Sequence, residues 1–250
     1  MYPNLLGIEF LHTYGLMMAL GFLLAWTLVE KLFKRPDLAN LAMALILSGV
    51  VGSRAAYVIE HWQAEFAANP VAALYIFRGG LMFYGGLILA VVVFFGWCFV
   101  KRENPLQLGD LLAVTVPLAH AFGRIGCFCY GCCYGRVSDS RWAVVFPVGS
   151  PQYFADGGRQ LPVLPTQLFE AAALLALFAV LLAVYLKWRK YTAGIYLMGY
   201  AAIRFALEYL RGDPRAAVGP FSISQTIAMA MAVLGAGMLA YEFASDNRRR

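Results

Sequence analysis

The chain has 250 residues, of which 61% are hydrophobic and 14% charged, with a mean hydropathy of +0.66 and a formal net charge of +6. So apolar a composition excludes a soluble globular protein. The positive net charge comes mostly from basic residues in predicted cytoplasmic loops, so it gives no indication of nucleic-acid binding. We expect a single integral membrane domain over residues 1–250, without a separate soluble domain and without a cleavable signal peptide.

Apolar runs long enough to cross a bilayer recur along the chain, since a hydrocarbon core of about 30 Å needs roughly 20 apolar residues in a helix. The seven runs lie near residues 9–29, 39–60, 81–100, 109–127, 166–186, 193–211 and 221–243. The sequence therefore predicts an all-α polytopic membrane protein with seven transmembrane helices. No internal repeat or low-complexity segment is visible.

Basic clusters follow the first, third, fifth and seventh runs, and every lysine belongs to one of them. The clusters are Lys31, Lys34 and Arg35; Lys101 and Arg102; Lys187, Arg189 and Lys190; and Arg248, Arg249 and Arg250. Because cytoplasmic loops are enriched in lysine and arginine, this alternation predicts that the N-terminus lies outside and the C-terminus inside.

The other nine basic residues are all arginines, in predicted outer loops or outer halves of helices: Arg54, Arg78, Arg124, Arg136, Arg141, Arg159, Arg204, Arg211 and Arg215. Four of them are explained by snorkelling to the interface: Arg136, Arg141, Arg159 and Arg215. Arg54 and Arg204 lie deeper, about 10 Å below the helix ends at about 1.5 Å per residue. Charges at that depth usually face a bundle interior, and guanidinium suits phosphate or carboxylate. The pattern predicts an anion site open to the outer leaflet.

The longest connection, from about Gly135 to Pro165, mixes aromatic residues with proline and glycine. Such a composition predicts a small ordered cap on the outer side, between the fourth and fifth helices. Within this cap, residues 142–146 (Trp-Ala-Val-Val-Phe) are compatible with a short strand.

Paired glycines open the third predicted helix, in the segment 78–86 (Arg-Gly-Gly-Leu-Met-Phe-Tyr-Gly-Gly). Glycines at a helix start leave backbone N–H groups free to bind an anion. Helix packing through small residues explains the same glycines equally well.

Four cysteines lie within seven residues at the outer end of the fourth helix: Cys127, Cys129, Cys132 and Cys133. An oxidising exterior allows one or two disulfides. A zinc site normally takes two ligand pairs separated by a longer loop, so the spacing is a weak indication of zinc. Disulfide cluster and metal site both stay open, and no pairing follows from the sequence.

Two further segments place charged residues inside helices. Glu170 follows Pro165 by about one turn, so it must pair with an arginine or be protonated. Arg204, Glu208 and Arg211 follow an i, i+4, i+7 spacing that predicts one shared helix face. They form either a self-contained ionic ladder or one wall of a functional pocket, and the polar segments nearby favour the pocket.

Taken in order, these segments resemble the prolipoprotein diacylglyceryl transferase family, from about residue 12 to residue 215. The resemblance rests on Tyr14-Gly15, Arg54 with Tyr57, segment 78–86, Asp110, Gly123-Arg124-Ile125-Gly126 with Gly131 and Gly135, segment 165–170 (Pro-Thr-Gln-Leu-Phe-Glu), and Arg204-Phe205 with Glu208 and Arg211.

The resemblance implies a monomeric, multi-pass enzyme of the bacterial inner (cytoplasmic) membrane. Such enzymes move the diacylglyceryl group of phosphatidylglycerol onto the lipobox cysteine thiol of a preprolipoprotein, and glycerol phosphate leaves. The implied partners are phosphatidylglycerol, preprolipoprotein signal peptides and the bilayer, with no metal, cofactor or nucleic acid. A related enzyme using another phospholipid or thiol acceptor is the nearest alternative.

The resemblance also implies roles for individual residues. Arg124 and Arg204 would hold the phosphate of the leaving group, and the catalytic set is completed by Tyr84 and Glu208. The implied substrate-binding residues are Tyr14, Arg54, Arg78, Gly79, Gly80, Gly126, Cys127, Gln167, Glu170 and Arg211.

The chain differs from the family pattern at several places. Tyr84 stands where the family usually has a histidine, Cys127 replaces an asparagine, and Cys132 replaces an acidic residue. Residues 163–164 are Val-Leu where the family tends to have Arg-His. Because tyrosine is a weak base at neutral pH, the general base stays open. The candidate replacements, all expected at interfaces or in packing instead, are His12, His61 and His120.

Two other functional classes fit parts of the pattern. The cysteines suit a membrane thiol–disulfide oxidoreductase, but Cys98 alone does not supply a second redox pair. The arginines suit an anion transporter, but the inner halves of the helices are almost uniformly apolar. The transferase accounts for more of the motifs than either rival.

Overall fold

The computed structural model describes residues 13–35, 37–76, 79–213 and 217–249, which are predominantly helical. The α-helices are α1 Thr13–Phe33, α2 Asp37–Glu60, α3 Phe83–Lys101, α4 Pro105–Tyr130, α5 Pro151–Ala155, α6 Thr166–Trp188, α7 Thr192–Glu208 and α8 Ile223–Arg249. A π-helical turn, Trp62–Phe66, and a 3-10 turn, Pro70–Leu74, follow α2. The strands are β1 Val144–Val145, β2 Pro162–Val163, β3 Ala217–Val218 and β4 Phe221–Ser222, and they pair antiparallel as β1–β2 and β3–β4.

Within the described ranges, six helices are long and apolar enough to cross a membrane: α1, α2, α3, α4, α6 and α8. Large apolar side chains such as Phe99 and Val233 are exposed on them, as expected of lipid-facing surfaces. The prediction of an all-α, multi-pass membrane protein is confirmed. α7 has 17 residues and ends at Glu208, so the helix predicted to reach residue 211 is shorter than expected.

Two compact units make up the described residues. The large unit comprises Met1–Leu28 and Leu106–Arg250, and the small unit comprises Val29–Pro105.

In the small unit, α3 packs against α2 through glycine. A Cβ added at Gly85 would collide with the Gly52 carbonyl oxygen and with Ala56, and one at Gly86 would collide with Ser53. Small residues allow such close backbone approach between membrane helices. The packing explanation therefore holds for the second glycine pair of segment 78–86.

In the large unit, a buried carboxylate organises the start of α7. Asp110 is 1% exposed, and its Oδ1 accepts hydrogen bonds from the backbone N–H of Ala193 at 2.7 Å and from Oγ1 of Thr192 at 3.2 Å. An anionic acceptor at a helix N-terminus satisfies an orphan N–H and complements the helix dipole. Asp110, one of the family motifs, thus has a structural explanation.

The connection from Gly135 to Pro165, called the cap below, is an ordered segment that contains β1, α5 and β2. The strand expected over residues 142–146 is present as β1, with Val144 opposite Val163 of β2. Phe146 is fully buried and packs with Tyr134 and Val163 in a small core of its own. Gly135 in turn pairs with Arg211 across an antiparallel bridge, which ties the cap to the chain after α7.

Candidate active site

Two largely buried arginine–carboxylate pairs lie at the end of the large unit where α4 and α7 finish and α6 and α8 begin. Nη2 of Arg124 lies 3.0 Å from Oε1 of Glu170. Nη2 of Arg204 lies 2.8 Å from Oε2 of Glu208. Removing one partner of a buried pair usually costs about 3–5 kcal/mol, because the other charge is left uncompensated. Each pair therefore holds both of its side chains in place.

Glu170 is the centre of the first pair. Its side chain is 1% exposed, and its Oε1 accepts a hydrogen bond from the Tyr200 hydroxyl at 3.2 Å. Nε2 of His120 lies 4.0 Å from the same oxygen. Of the two states predicted for Glu170, pairing with an arginine is the one that the structure shows.

Arg204 of the second pair also donates from Nη2 to Oγ of Ser224, at the start of α8, over 2.9 Å. The shared helix face predicted for Arg204, Glu208 and Arg211 is confirmed for the first two and wrong for Arg211. The helix ends at Glu208 because the chain turns to pair with the cap, where the Leu210 carbonyl accepts from the Arg136 backbone N–H at 2.9 Å.

The Arg211 guanidinium consequently does not join the Arg204–Glu208 pair. Its Nε and Nη2 donate to the two carboxylate oxygens of Asp213 at 2.8 and 2.7 Å. It also forms a hydrogen bond with the Cys133 thiol. Arg211 therefore belongs to the cysteine side of the site, and the three charged residues do not form one ionic ladder.

The two ion pairs share His120 and Tyr200 as neighbours. The charges of both Arg124 and Arg204 act on each of these side chains. The two rings meet edge to face, with centroids 5.1 Å apart. The sequence predicted a packing or interfacial role for His120, but the structure places it in the polar cluster. Its position four residues before Arg124, on the same helix face, was the available signal. Tyr200 and Ser224 belonged to no motif.

Two polar side-chain atoms at this end of the large unit are free to bind a ligand. Among the described residues, Nε of Arg124 and Oε1 of Gln167 are buried without a hydrogen-bond partner. Burying a hydrogen-bond donor without a partner destabilises the fold, and an oxygen of a bound anion would supply the missing partner. The Arg124 donor therefore suits a phosphate, and the Gln167 acceptor suits a hydroxyl group.

Tyr14 of α1 reaches the same end of the large unit. A Cβ added at Gly126 would lie 3.0 Å from Cδ2 of Tyr14, so the glycine permits this contact. The charge of Arg124 acts on the Tyr14 hydroxyl, which is close to Cys127 as well. The structure thus brings Tyr14, Gly126 and Arg124 close together.

Three of the four clustered cysteines converge where α4 ends. The Sγ atoms of Cys127, Cys132 and Cys133 all lie within 4.8 Å of one another, and each thiol is free. Hydrogen bonds from Cys127 and Cys132, together with the charge of Arg211, lower the pKa of the Cys133 thiol against the opposing effect of burial. Cys129 instead lines an apolar pocket of about 380 Å³ beside the cap.

In the small unit, the Arg54 guanidinium is occupied by backbone carbonyls. It donates from Nε to Ala73 at 2.8 Å, from Nη2 to Ala72 at 2.9 Å, and from Nη1 to Gly79 and Gly80 at 2.8 and 3.1 Å. Gly79 and Gly80 both have positive φ, at 86° and 72°. Arg54 therefore shapes the glycine loop, and its donors are satisfied within the protein.

The remaining predicted residues of this unit are Tyr84 and Arg78. Tyr84 lies in the first turn of α3, is 46% exposed, and meets Phe83 edge to face at 5.7 Å. Arg78 and His12 lie outside the described residues. His61 stacks on Tyr57 with a centroid distance of 4.1 Å, which agrees with the packing role predicted for it.

Comparison with known proteins matches the pattern of the prolipoprotein diacylglyceryl transferase family to residues 3–241. A phosphatidylglycerol–prolipoprotein diacylglyceryl transferase of Bordetella bronchiseptica is 33% identical over 257 residues, covering 95% of this chain and 93% of that protein. The enzyme of the same name from Pseudoalteromonas translucida is 34% identical over 252 residues, covering 94% and 90%. Phosphatidylglycerol–prolipoprotein diacylglyceryl transferase 2 of Clostridium perfringens is 32% identical over 247 residues, covering 92% and 90%.

Proposed function

Because the chain belongs to the prolipoprotein diacylglyceryl transferase family, we propose that it transfers the diacylglyceryl group of phosphatidylglycerol to the lipobox cysteine thiol of preprolipoproteins. Glycerol phosphate is the leaving group. The observation that supports this function most strongly is the cluster of two buried arginine–carboxylate pairs with an open donor on Arg124. Such a cluster suits a phosphate that gains negative charge as it leaves.

Bond changes in this reaction define what the protein must supply. The acceptor sulfur attacks the glycerol carbon that carries the phosphate ester, and an S–C bond forms as the C–O bond breaks. The electron pair of the C–O bond leaves with the phosphate oxygen, and the thiol proton passes to a base. Preorganised donors at the developing charge commonly supply the largest part of such catalysis.

Arg124 and Arg204 are assigned to that developing charge. Glu170 and Glu208 keep both guanidinium groups in position before substrate binds, because each pair is largely buried and at hydrogen-bond distance. Gln167 accepts a hydrogen bond from the glycerol head through its free Oε1. Tyr14, beside Arg124 and partly exposed, orients the bound lipid at the edge of the cluster.

His120 is the base that this chain offers in the large unit. Its neutral imidazole has a ring-nitrogen lone pair that can take the thiol proton as the C–O bond breaks, whereas the Glu170 carboxylate beside it already holds Arg124. A base oriented by a third group is a recurring arrangement for activating a nucleophile. Tyr84 is the competing candidate for the base, and Arg78, Gly79 and Gly80, which precede α3 in the sequence, are assigned to lipid binding.

The enzyme works in the bacterial inner membrane as a monomer with seven spans, in which α7 is the short one. The alternating basic clusters support a cytoplasmic C-terminus and an active site open to the outer leaflet. Alkaline phosphatase, which matures only in the periplasm, should be inactive when fused after Arg250. Activity of that fusion would contradict the orientation.

Purified protein should convert a lipobox peptide to its diacylglyceryl thioether when phosphatidylglycerol is the only lipid supplied. Mass spectrometry of the peptide detects the added group on the cysteine, and glycerol phosphate should appear in equal amount. A peptide with serine in place of the cysteine is the matched control and should stay unmodified. Oxidation of the peptide thiol without lipid transfer would instead support the thiol–disulfide oxidoreductase.

A further inference from the structure

The bond changes of the transfer reaction do not use the thiols of Cys127, Cys132 and Cys133, because the attacking thiol belongs to the acceptor protein. All three side chains are partly exposed, and their sulfurs lie within 4.8 Å of one another. Cys129, in the same segment, does not join them. The segment therefore contains a specific three-sulfur site rather than a general accumulation of cysteine.

The backbone builds this site by reversing direction at the end of α4. Gly131 has a φ of 84°, and the backbone N–H groups of Gly131 and Cys132 both donate to the Cys127 carbonyl, at 2.9 and 3.2 Å. This is the hydrogen-bond pattern of a glycine-terminated helix. Cys133 then takes a φ of 63°, a left-handed conformation that costs a non-glycine residue about 1–3 kcal/mol. The turn carries two thiols back beside the last turn of the helix.

The start of α6 holds the turn in place. Nε2 of Gln167 donates to the Cys132 carbonyl at 2.7 Å, and Oγ1 of Thr166 donates to the Cys133 carbonyl at 3.0 Å. Both of these side chains are buried. The three sulfurs are consequently held together by the surrounding structure before any ligand binds.

Arginine side chains lie beside two of the three sulfurs. Arg211 forms a hydrogen bond with the Cys133 thiol, and the charge of Arg124 acts on Cys127. The thiolate is the form of cysteine that binds metal ions, and a positive charge nearby complements it once the metal has displaced the proton. A site of three thiolates and one divalent cation has a net charge of −1, which these arginines also complement.

We propose that Cys127, Cys132 and Cys133 bind one Zn²⁺ ion through their sulfurs, with a solvent molecule as the fourth ligand. Tetrahedral zinc with Zn–S bonds of about 2.3 Å places its sulfurs about 3.8 Å apart. The observed separations of up to 4.8 Å need only side-chain adjustments of about 1 Å to reach that geometry. Each Zn–S bond that forms displaces a thiol proton to solvent.

A disulfide is the alternative use of these cysteines. It joins only two of the three sulfurs and leaves the third without a partner, whereas a metal ion binds all three. The ion ties the end of α4 to the turn that α6 clamps, and Arg124 lies only one turn before Cys127. Zinc therefore stabilises the position of Arg124, and no step of the transfer reaction passes through the metal.

Cobalt titration of the full chain tests the site directly. Protein purified in detergent under anaerobic, reducing conditions should bind one Co²⁺ per chain, with the near-ultraviolet charge-transfer absorption of thiolate–cobalt bonds. Added Zn²⁺ should abolish that absorption by displacing the cobalt. Absence of the absorption in the wild-type protein would overturn the proposal.

Serine variants assign the ligands. Cys127→Ser, Cys132→Ser and Cys133→Ser should each weaken Zn²⁺ binding by more than about 100-fold, since even residues that only support a ligand are worth 10- to 100-fold. Cys129→Ser and Cys98→Ser are the matched controls and should bind as the wild type does. An unchanged affinity in all three ligand variants would overturn the proposal.

Alkylation of the wild-type protein gives a readout that does not depend on how well the variants fold. Zn²⁺ should protect Cys127, Cys132 and Cys133 from a maleimide reagent and leave Cys129 as reactive as before, with the modified sites read by mass spectrometry. Equal protection of Cys129, or a native disulfide between two of the three cysteines, would contradict the assignment.

Discussion

Replacing Arg124 with lysine should lower the rate of diacylglyceryl transfer by about 10²–10³-fold, or roughly 3–4 kcal/mol of transition-state stabilisation. Lysine keeps the positive charge but lacks the planar fork, so it cannot hold Glu170 and also direct a second donor at the phosphate. The measurement is transfer of radiolabelled diacylglyceryl from phosphatidylglycerol to a lipobox peptide by purified protein.

The matched control for Arg124→Lys is Arg136→Lys. Arg136 is exposed on the cap, where a surface charge contributes about 1 kcal/mol or less, so its rate should change by less than about threefold. Both variants must have the same melting temperature as the wild type. Equal losses at the two positions, or a loss at neither, would contradict the role of Arg124 as a phosphate ligand.

Replacing His120 with glutamine should lower the transfer rate by about 10²–10⁴-fold, the usual contribution of a positioned general base. Glutamine still fills the space near Glu170 and Tyr200 and still forms hydrogen bonds, but it cannot take a proton. The rate of this variant should rise with pH toward about 8.5, the ordinary pKa of a cysteine thiol, because the acceptor then ionises without help. A purely structural role of His120 would not change the pH profile.

Two matched variants separate the candidate bases. His61→Gln removes a histidine that stacks on Tyr57 in the small unit, and its rate should remain near that of the wild type. Tyr84→Phe removes only the hydroxyl of the residue that stands in the family's histidine position. If Tyr84→Phe loses its activity while His120→Gln keeps it, Tyr84 is the base and the assignment to His120 is wrong.

Sequence patterns predicted most of the architecture because hydrophobic runs and basic clusters are local signals. Helix α6 begins at the predicted residue, and α2 and α3 begin within two residues of the prediction. The end of α7 was predicted wrongly because it depends on pairing of residues 210–212 with the cap, a contact between distant parts of the chain. Periodicity within one helix carries no information about such a contact.

Site residues were predicted where a motif marks them, and missed where only three-dimensional proximity does. Glu170 and Arg124 belong to different motifs, and the sequence left open whether they would pair. His120 and Tyr200 belong to the site because α4, α6 and α7 meet around Glu170, and no pattern within a single helix indicates that meeting. The convergence of three cysteines likewise depends on the turn at Gly131, which the spacing alone does not specify.

The most direct test of the proposed function is growth of a bacterium depleted of its own prolipoprotein diacylglyceryl transferase. Expression of this chain should restore growth and lipid modification of lipoproteins, and the Arg124→Lys variant, present in the membrane at the same level, should fail to do so. The Arg136→Lys variant should restore growth as the wild type does. Failure of the wild-type chain, inserted in the membrane at normal abundance, would contradict the transferase assignment.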